Sequence, residues 1–195
     1  MSFRDPQYQS KSRAQSAARG RVALAGFTLL ELIVTMAVAG ILMAIAVPSF
    51  RSFLQSDRLL TEQDQLVMSL HLARSEAIKQ DTSIDVCASS NGTTCSGLAE
   101  WNDGWIVQAA GAAQPLQVVS ALATGNRLTE ANGVKKLTFD ATGLATSIAV
   151  ALQFTFCDTR GASYARYTEV GAFSGRVASS GTVGKNLAGA ALACP

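Results

Sequence analysis

The side chain with the clearest chemical meaning in this sequence is a single carboxylate near one end of a long apolar segment. Glu31 is the only charged residue between Phe27 and Val47, a stretch of 21 residues. As a helix this stretch would be about 31 Å long, close to the thickness of the hydrocarbon core of a bilayer. An ionised carboxylate costs about 3 kcal/mol at the centre of such a helix and less near the interface, so Glu31 requires a partner. The pattern indicates a membrane helix whose glutamate has a function.

Other residues with catalytic potential lack the partners that catalysis needs. His71 is the only histidine, and it falls within a helical pattern where an exposed or half-packed position is expected. Without a nucleophile elbow or a glycine-rich phosphate loop, a serine or cysteine triad is incomplete. The carboxylates of Asp57, Glu62 and Asp64 belong to the same predicted helix and are explained by a solvated face. The sequence therefore predicts neither an enzyme nor a cofactor.

Four cysteines, at positions 87, 95, 157 and 194, all follow the apolar segment. An even number of cysteines outside the cytoplasm is typical of disulfide bonds, and four cysteines allow three pairings. Cys87 and Cys95 enclose a short polar loop and are expected to pair, which leaves Cys157 to pair with Cys194 and to tie the C-terminal tail to a strand. The alternative is a zinc site, but the spacings are not of the Cys-x-x-Cys type and no histidine is near, so no metal is predicted.

Basic residues are concentrated before the apolar segment. Residues 1–26 carry five lysines and arginines against one aspartate, whereas the rest of the chain carries 11 basic and 13 acidic side chains. By the positive-inside rule, the leader at 1–26 stays in the cytoplasm and the remainder crosses to the other side of the membrane. The net charge of +2 is therefore a property of the leader and does not indicate nucleic-acid binding.

Two helical segments in succession must position these residues. Residues 27–47 are the predicted transmembrane helix, and Pro48 is expected to kink it or to start a new segment. Residues 48–80 have apolar side chains at helical spacing, which predicts an amphipathic helix that continues into the head with its apolar stripe under a sheet. The predicted stripe consists of Phe50, Phe53, Leu54, Leu60, Val67, Leu70, Ala73, Ala77 and Ile78.

Residues 81–195 are predicted to form a β-rich head. Short runs of β-forming residues alternate with glycine, asparagine and serine, and strands after one long helix indicate an α+β fold. The predicted strands are 83–87, 105–108, 117–121, 136–140, 148–157, 165–170 and 176–179. The glycine-rich segment 181–193 is expected to be a loose tail held near its end by Cys194.

The six residues GFTLLE at positions 26–31, directly before the apolar run, resemble the class III signal of type IV pilins and type II secretion pseudopilins. The resemblance implies that a prepilin peptidase cuts between Gly26 and Phe27 and that Phe27 is then N-methylated. It also implies that Glu31 meets the free amine of a neighbouring subunit during filament entry, and that Pro48 is the proline common at this distance from the cut. An ordinary secretory signal would have a shorter apolar core.

Motifs in the head are similar, in their order, to those of the GspH/FimT family of minor pilins and pseudopilins. The similarity implies a pilin-like α+β fold, in which a long N-terminal helix packs on a mainly antiparallel β-sheet head. The implied function is that of a structural subunit of a type II secretion pseudopilus or a type IV pilus. The motifs are LARSEAIK at 72–79, VCASSNGTTC at 86–95, WNDGWIV at 101–107, LTFDATG at 137–143, FTFCDTRG at 154–161 and SGRV at 174–177.

The same resemblance predicts where the chain acts and with which partners. Expected partners are other pilin or pseudopilin subunits, the prepilin peptidase, the inner-membrane assembly platform and membrane lipid. The expected location is the inner membrane, crossed once with the leader cytoplasmic and the head periplasmic, and later the filament near its tip. An envelope hydrolase anchored by its helix is a remote alternative, because the sequence offers no catalytic group.

DNA uptake is the main alternative function. Some FimT-type minor pilins bind DNA, and the resemblance places this activity at a C-terminal Gly-Arg-x-Arg motif. Here positions 175–178 read GRVA, so the second arginine is absent, while Arg176 and Lys185 remain as candidate DNA contacts. Because few phosphates would be neutralised, the expected affinity is weak and sensitive to salt.

Overall fold

The computed structural model describes residues 26–95, 97 and 100–194. The predicted leader lies outside the described residues except for Gly26. One long helix, α1 (Leu29–Gln80), precedes all strands, and the chain separates into one compact unit up to Ala44 and a second from Ile45 onward. The strands are β1 (Ile84–Ala88), β2 (Gly104–Ala109), β3 (Gln117–Ser120), β4 (Arg127–Glu130), β5 (Lys136–Phe139), β6 (Leu152–Cys157), β7 (Arg166–Val170) and β8 (Val177–Ser179).

The strands of the second unit form two four-stranded antiparallel sheets. The first sheet has the order β3-β2-β1-β5 and the second has the order β4-β6-β7-β8. The predicted α+β fold is confirmed. The sequence indicated that the head contains β-sheet, but it did not show that the strands divide into two sheets. All seven predicted strands overlap observed ones, but the prediction for 148–157 began too early, since β6 starts at Leu152. β4 was missed because its four residues, RLTE, lack an apolar alternation.

The core lies between the sheets and one face of the C-terminal half of α1. The helix contributes Leu59, Leu66, Leu70, Ala73 and Ala77, all fully buried. Large aromatic and aliphatic side chains of both sheets surround them. Those that are fully buried include Trp105, Leu137 and Phe139 from the first sheet and Leu152, Phe154 and Phe156 from the second.

The predicted apolar stripe of α1 is wrong for most of its members. Leu70, Ala73 and Ala77 are buried and Val67 is half-buried, whereas Phe50, Phe53, Leu54, Leu60 and Ile78 are exposed. The prediction counted only apolar residues, and these occupy two faces of the helix. The face that packs on the head includes the polar residues Glu62, Gln63 and Ser69, because each of them finds a hydrogen-bond partner there.

Buried polar contacts join α1 to both sheets. The indole of Trp105 in β2 donates its Nε1–H to Ser69 Oγ at 2.9 Å. The amide of Gln63 donates to the main-chain oxygen of Tyr167 at 2.9 Å and to Thr168 Oγ1 at 3.0 Å, both in β7. These hydrogen bonds fix the rotation of the helix about its axis, because a buried donor without an acceptor is costly.

Glu62 is a third polar contact, and the prediction that it belongs to a solvated face is wrong. Its two carboxylate oxygens accept hydrogen bonds from the main-chain N–H of Ala123 at 3.0 Å and from Asn126 Nδ2 at 2.8 Å. Both donors lie in the loop between β3 and β4. The carboxylate is buried because this loop supplies the donors that water would otherwise provide. Asp57 and Asp64 are exposed, as expected.

The WNDGW motif at 101–105 links the two sheets. Trp101 packs edge-on against Phe154 of the second sheet, with ring centroids 5.1 Å apart, and donates its indole N–H to Val134 O at 2.7 Å. The side-chain oxygen of Asn102 accepts from the main-chain N–H of Leu128 in β4. Gly104 has a φ of +102°, and a side chain there would collide with the backbone of β3, so the motif requires glycine.

The glycine-rich segment 181–193 is a compact turn, which differs from the loose tail expected from its sequence. Gly184 donates its N–H to Ala165 O at 2.8 Å, and Leu192 donates to Gly184 O at 2.9 Å. Lys185 and Ala191 form an isolated antiparallel bridge. Small residues here permit close backbone pairing, which composition alone does not distinguish from a flexible linker.

We expect Ser69→Ala to destabilise the head by about 1–3 kcal/mol, because the buried indole N–H of Trp105 would lose its acceptor. Unfolding of the full chain in detergent by denaturant, followed by tryptophan fluorescence, measures this change, since both tryptophans lie in the head. Ser75→Ala is the matched control, because Ser75 is exposed on the same helix and its hydroxyl donates only to Leu72 O. Equal effects of the two variants would contradict the assigned contact.

Candidate processing and assembly site

The start of α1 is fixed by the threonine of the GFTLLE motif. Thr28 is the residue before the first helical residue, Leu29, and its hydroxyl accepts the main-chain N–H of Glu31 at 3.2 Å. Its carbonyl accepts the N–H of Leu32 at 3.1 Å. This is the geometry of an N-cap, in which a side-chain oxygen satisfies a backbone donor that has no acceptor within the helix.

The Gly26–Phe27 peptide bond therefore lies outside the helix. Both residues are exposed, and Phe27 is 78% exposed. A helix must unwind locally before a protease can cut one of its peptide bonds, whereas a non-helical segment before a capped helix can bind in a protease active site directly. The cap therefore leaves the predicted cleavage site outside the helix.

The carboxylate of Glu31 is exposed one turn into the helix. No hydrogen bond or ion pair to its side-chain oxygens occurs within the described part of the chain. The negative charge lies in the first turn, where it interacts favourably with the positive end of the helix dipole. Among the described residues, Glu31 therefore has no partner stronger than the helix dipole.

The N-terminal part of α1 exposes an almost wholly apolar surface. Every side chain from Phe27 to Val47 is exposed, and α1 is the one helix in the described ranges that is long and apolar enough to cross a membrane. Exposed apolar surface on this scale requires lipid or other helices around it.

The sequence predicted either a kink or a new segment at Pro48; this residue lies inside α1, which excludes the new segment, and the kink stays a prediction. Proline lacks an N–H and cannot donate to the carbonyl four residues earlier, which weakens the helix at one point. The helix nevertheless continues on both sides of Pro48. Pro48 thus marks a weak point within one helix.

Arg160 holds the middle of α1 to the head. Its Nη1 donates to the carbonyl of Ser52 at 2.9 Å, to the hydroxyl of Ser52 at 2.9 Å and to the hydroxyl of Ser56 at 3.0 Å. Its Nε and Nη2 donate to Asp158 Oδ2 at 2.8 and 2.6 Å, and the guanidinium lies 4.1 Å from the centre of the Tyr164 ring. The side chains of Arg160 and Asp158 are 14% and 3% exposed, so the ion pair is largely shielded from water.

Both disulfide bonds of the structure join the cysteines that the sequence pairs. Cys87 in β1 is bonded to Cys95 with a Cα–Cα distance of 5.7 Å. Cys157 at the end of β6 is bonded to Cys194 with a Cα–Cα distance of 5.9 Å. The second bridge lies directly before Asp158, so it holds the C-terminal turn beside the Arg160 contact. No cysteine in the described residues remains available to bind zinc.

Two titratable groups of the head have pKa values that are moved by their surroundings. In the LTFDATG motif, Asp140 Oδ1 accepts hydrogen bonds from the hydroxyl and N–H of Thr142 and from the N–H of Leu144. These hold the pKa of the Asp140 carboxyl below its usual range, led by the Thr142 hydroxyl. Burial, and then the hydrogen bond to Glu169, raises the pKa of the Tyr167 hydroxyl. Asp140 stabilises the turn that follows β5, and Tyr167 lies in β7.

The candidate DNA contacts and the histidine lie on the surface. Arg176 is in the turn between β7 and β8, Lys185 is in the C-terminal turn, and both are exposed. No ion pair involves either side chain in the described ranges. Gly175 before Arg176 has a φ of +61°, and a Cβ there would lie 2.6 Å from the Phe139 ring. The glycine of this motif is therefore required by packing. His71 is exposed on α1.

Sequence reasoning missed the N-cap and the Arg160 contact. The cap had a signal, since threonine followed three residues later by glutamate is a capping-box pattern. Arg160 had none, because its partners Ser52 and Ser56 are more than 100 residues away along the chain. Metal binding has no support within the described residues, which contain no group of three or more histidine, cysteine, aspartate or glutamate side chains that could hold an ion.

Two known families match the chain. The family described as type II transport protein GspH matches residues 62–175, more than half of the chain. The prokaryotic N-terminal methylation motif matches residues 24–47, which include Gly26, Phe27 and Glu31. No curated protein matches the chain significantly.

Two solved structures share the fold. Both are crystal forms of the type IV minor pilin FimU of Pseudomonas aeruginosa. One is 25% identical over 66% of this chain and 92% of FimU, with a TM-score of 0.53. The other is 23% identical over 62% of this chain and 91% of FimU, with a TM-score of 0.50.

We expect Arg160→Met to destabilise the head by about 3 kcal/mol, because it leaves the buried Asp158 carboxylate without its cation. The double variant Arg160→Met with Asp158→Asn should recover part of this loss, since the unpaired charge is then removed. Denaturant unfolding of the full chain in detergent measures both effects. Arg176→Met is the control and should change the unfolding free energy by less than about 0.5 kcal/mol. A loss that Asp158→Asn does not relieve would contradict the ion pair.

Proposed function

Because the chain belongs to the GspH family of type II transport proteins, we propose that it enters a type II secretion pseudopilus or a type IV pilus as a minor, structural subunit. The observation that carries this proposal is the Glu31 carboxylate, which has no partner among the described residues and lies on an exposed apolar helix, within a segment that matches the N-terminal methylation motif. A helix of this kind is suited to a membrane, and its carboxylate can pair with a cationic group of a second helix.

The proposed first step is removal of the leader at residues 1–26. The five basic residues hold this segment in the cytoplasm, where a prepilin peptidase cuts between Gly26 and Phe27. Cleavage creates a cationic amine on Phe27, directly before the Thr28 cap. N-methylation of that amine keeps its positive charge.

The new amine of a neighbouring subunit then provides a partner for Glu31, which has none among the described residues. Glu31 follows Phe27 by four residues, so a short axial shift between neighbouring helices brings the carboxylate of one level with the amine of the next. In a filament interior the carboxylate is removed from water, and an unpaired charge there would be costly. The pair offsets this cost and also sets the axial register of the incoming subunit.

The exposed apolar face within the second unit supports the same proposal. Phe50, Phe53 and Leu54 are exposed on α1 beyond Pro48, although they lie outside the predicted membrane span. Exposed apolar side chains of this size mark a surface that contacts lipid or another protein. Neighbouring copies of the α1 helix in a filament would cover them.

The head is proposed to lie in the periplasm, with residues 27–47 in the inner membrane. The charge asymmetry around the apolar helix supports this orientation, and the two disulfide bonds fit an oxidising compartment. The inner-membrane assembly platform and the other pilin subunits are the proposed partners, with a position near the filament tip as expected for a minor subunit.

We expect the mature protein to begin at Phe27 and to carry one added methyl group. The exposed, non-helical Gly26–Phe27 bond and the basic leader motivate this expectation. Intact-mass analysis of protein extracted from membranes of cells with and without the prepilin peptidase measures it. A full-length mass in cells that contain the peptidase would refute the processing step, and Gly26→Val should give that full-length mass as a control.

We expect Glu31→Ala to lower incorporation into filaments several-fold while leaving cleavage and head stability unchanged. Glu31→Gln should have nearly the same effect, because it keeps the size of the side chain but removes the charge that pairs with the amine. The measurement is the amount of variant subunit in sheared or cross-linked filaments relative to its amount in the inner membrane.

Asp64→Ala is the matched control for this comparison, since Asp64 is an exposed acidic residue on the same helix. It should enter filaments at the level of the unmodified chain. The pairing role would be wrong if Glu31→Ala also did so.

A further inference from the structure

Two asparagines of the head are followed directly by glycine, in the pairs Asn91-Gly92 and Asn132-Gly133. In such a pair the main-chain nitrogen of the glycine can attack the side-chain amide of the asparagine, because glycine has no side chain that shields its nitrogen. Both asparagines are exposed. Their local sequence and exposure are alike, so any difference in their reactivity must come from the contacts that the fold gives each amide.

The amide of Asn91 is held in one orientation with donors directed at its oxygen. Its Oδ1 accepts the main-chain N–H of Thr93 at 2.9 Å and that of Thr94 at 3.0 Å. The hydroxyl of Ser89 lies 3.0 Å from the same oxygen and is shared with Thr94 O. The amide nitrogen donates to Thr94 Oγ1 at 2.9 Å. Two main-chain N–H groups that converge on one carbonyl oxygen are the arrangement that stabilises negative charge on that oxygen.

The attacking nitrogen is also available at this site. The N–H of Gly92 has no acceptor among the described residues, so it has no hydrogen bond to give up. Gly92 has a φ of +67°, a conformation that glycine adopts without strain. The disulfide bond between Cys87 and Cys95 closes the loop around this residue pair and limits its other conformations.

The contacts of Asn132 are the opposite of those of Asn91. Its amide nitrogen donates to Glu130 Oε1 at 3.4 Å and to Ala151 O at 3.2 Å. Its side-chain oxygen accepts no hydrogen bond from the described residues. The N–H of Gly133 donates to Glu130 O at 3.4 Å. Here the carbonyl oxygen is unassisted and the attacking nitrogen is engaged, so Asn132 is an internal control for Asn91.

We propose that Asn91 is a site of autocatalytic deamidation, in which the loop at 89–94 accelerates ring closure. Gly92 N loses its proton to water and forms a bond to Asn91 Cγ, and the charge that develops on Oδ1 is bound by the N–H groups of Thr93 and Thr94. The bond between Cγ and Nδ2 then breaks, and Nδ2 takes a proton from water and leaves as ammonia. Water hydrolyses the resulting cyclic imide to aspartate or isoaspartate.

The modification adds one negative charge to a defined place on the head. A cavity of about 290 Å³ is lined by residues 89–92, Asp103 and residues 118–121. The carboxylate formed at Asn91 borders this cavity and increases the acidity that Asp103 already gives it. The charge of the head therefore changes with the age of the subunit. This inference does not depend on the proposed assembly role, because the reaction needs only this loop and water.

The test is peptide mapping by mass spectrometry of freshly purified full chain, incubated in detergent at neutral pH. We expect Asn91 to be converted at least about tenfold faster than Asn132, which is a modest share of what oxyanion donors contribute in enzymes. In denaturant with the disulfide bonds reduced, the two rates should become nearly equal, because the contacts are lost. At mildly acidic pH, where imide hydrolysis is slow, a peptide that has lost ammonia should accumulate at Asn91.

Thr94→Val tests the orientation of the amide, since it removes the hydroxyl that accepts from Asn91 Nδ2 and keeps the main-chain N–H. We expect it to slow conversion of Asn91 several-fold, and Thr94→Ser should restore the rate. Thr93→Val is the matched control, because the hydroxyl of Thr93 forms no hydrogen bond with the described residues, and it should leave the rate unchanged. Equal unfolding free energies and equal disulfide content show that the variants keep the fold.

The proposal is overturned if Asn132 is converted as fast as Asn91 in the folded chain, or if Asn91 is not converted. It is also overturned if Asn91 keeps the same advantage in the denatured chain, which would assign the rate to sequence and not to the fold. Equal effects of Thr93→Val and Thr94→Val would overturn the role of the amide contact.

Discussion

The architecture of the head depends on one face of the second half of α1, which must pack against two sheets and form hydrogen bonds with both at once. An apolar stripe alone would allow the helix to rotate or slide, because the hydrophobic effect is not directional. Ser69 accepts a hydrogen bond from the first sheet, Gln63 donates to the second, and Glu62 accepts from the loop that connects them. Each of these hydrogen bonds would break if the helix rotated about its axis by the angle of one residue. The two sheets are thereby held in one arrangement although they share no strand.

The same helix changes its role along its length. From Glu62 to Ala77 its inner face is buried and its polar groups are paired, whereas up to Val47 its side chains are exposed and Glu31 has no partner within the described residues. A folded protein normally buries apolar surface and pairs charge. In the head, this chain buries a core of apolar side chains and pairs the buried polar groups of α1. In the first half of the helix, the apolar side chains are exposed and Glu31 has no partner among the described residues. That contrast is the physical basis for assigning the head to stability and the N-terminal segment to association.

Local chemistry made much of this structure predictable from sequence. The apolar run and the order of helix and strands follow from spacing and composition, and the short spacing of Cys87 and Cys95 favoured one of the three possible cysteine pairings. Long-range partners were not predictable, as Glu62 shows: a carboxylate on a helix normally faces water, and its burial depends on Ala123 and Asn126 from a distant loop. The predicted apolar stripe was wrong for the same reason. Phe50 and Leu60 are as apolar as Leu59 and Leu66, and only contacts with distant parts of the chain decide which of them are buried. β4 was missed because its charged sequence becomes a strand only when β6 lies beside it.

The two disulfide bonds differ in the length of chain they enclose, and this has a consequence for biogenesis. Cys95 follows Cys87 by 8 residues, so the first bridge can close once a short segment of chain has emerged. Cys157 must wait for a cysteine 37 residues later. During that interval its thiol is unpaired next to Asp158 and Arg160, and Arg160 is the residue whose contacts with Ser52 and Ser56 hold the helix. Oxidation during synthesis would therefore proceed in a defined temporal order. A chain arrested within this interval would be an intermediate in which Cys157 is still unpaired.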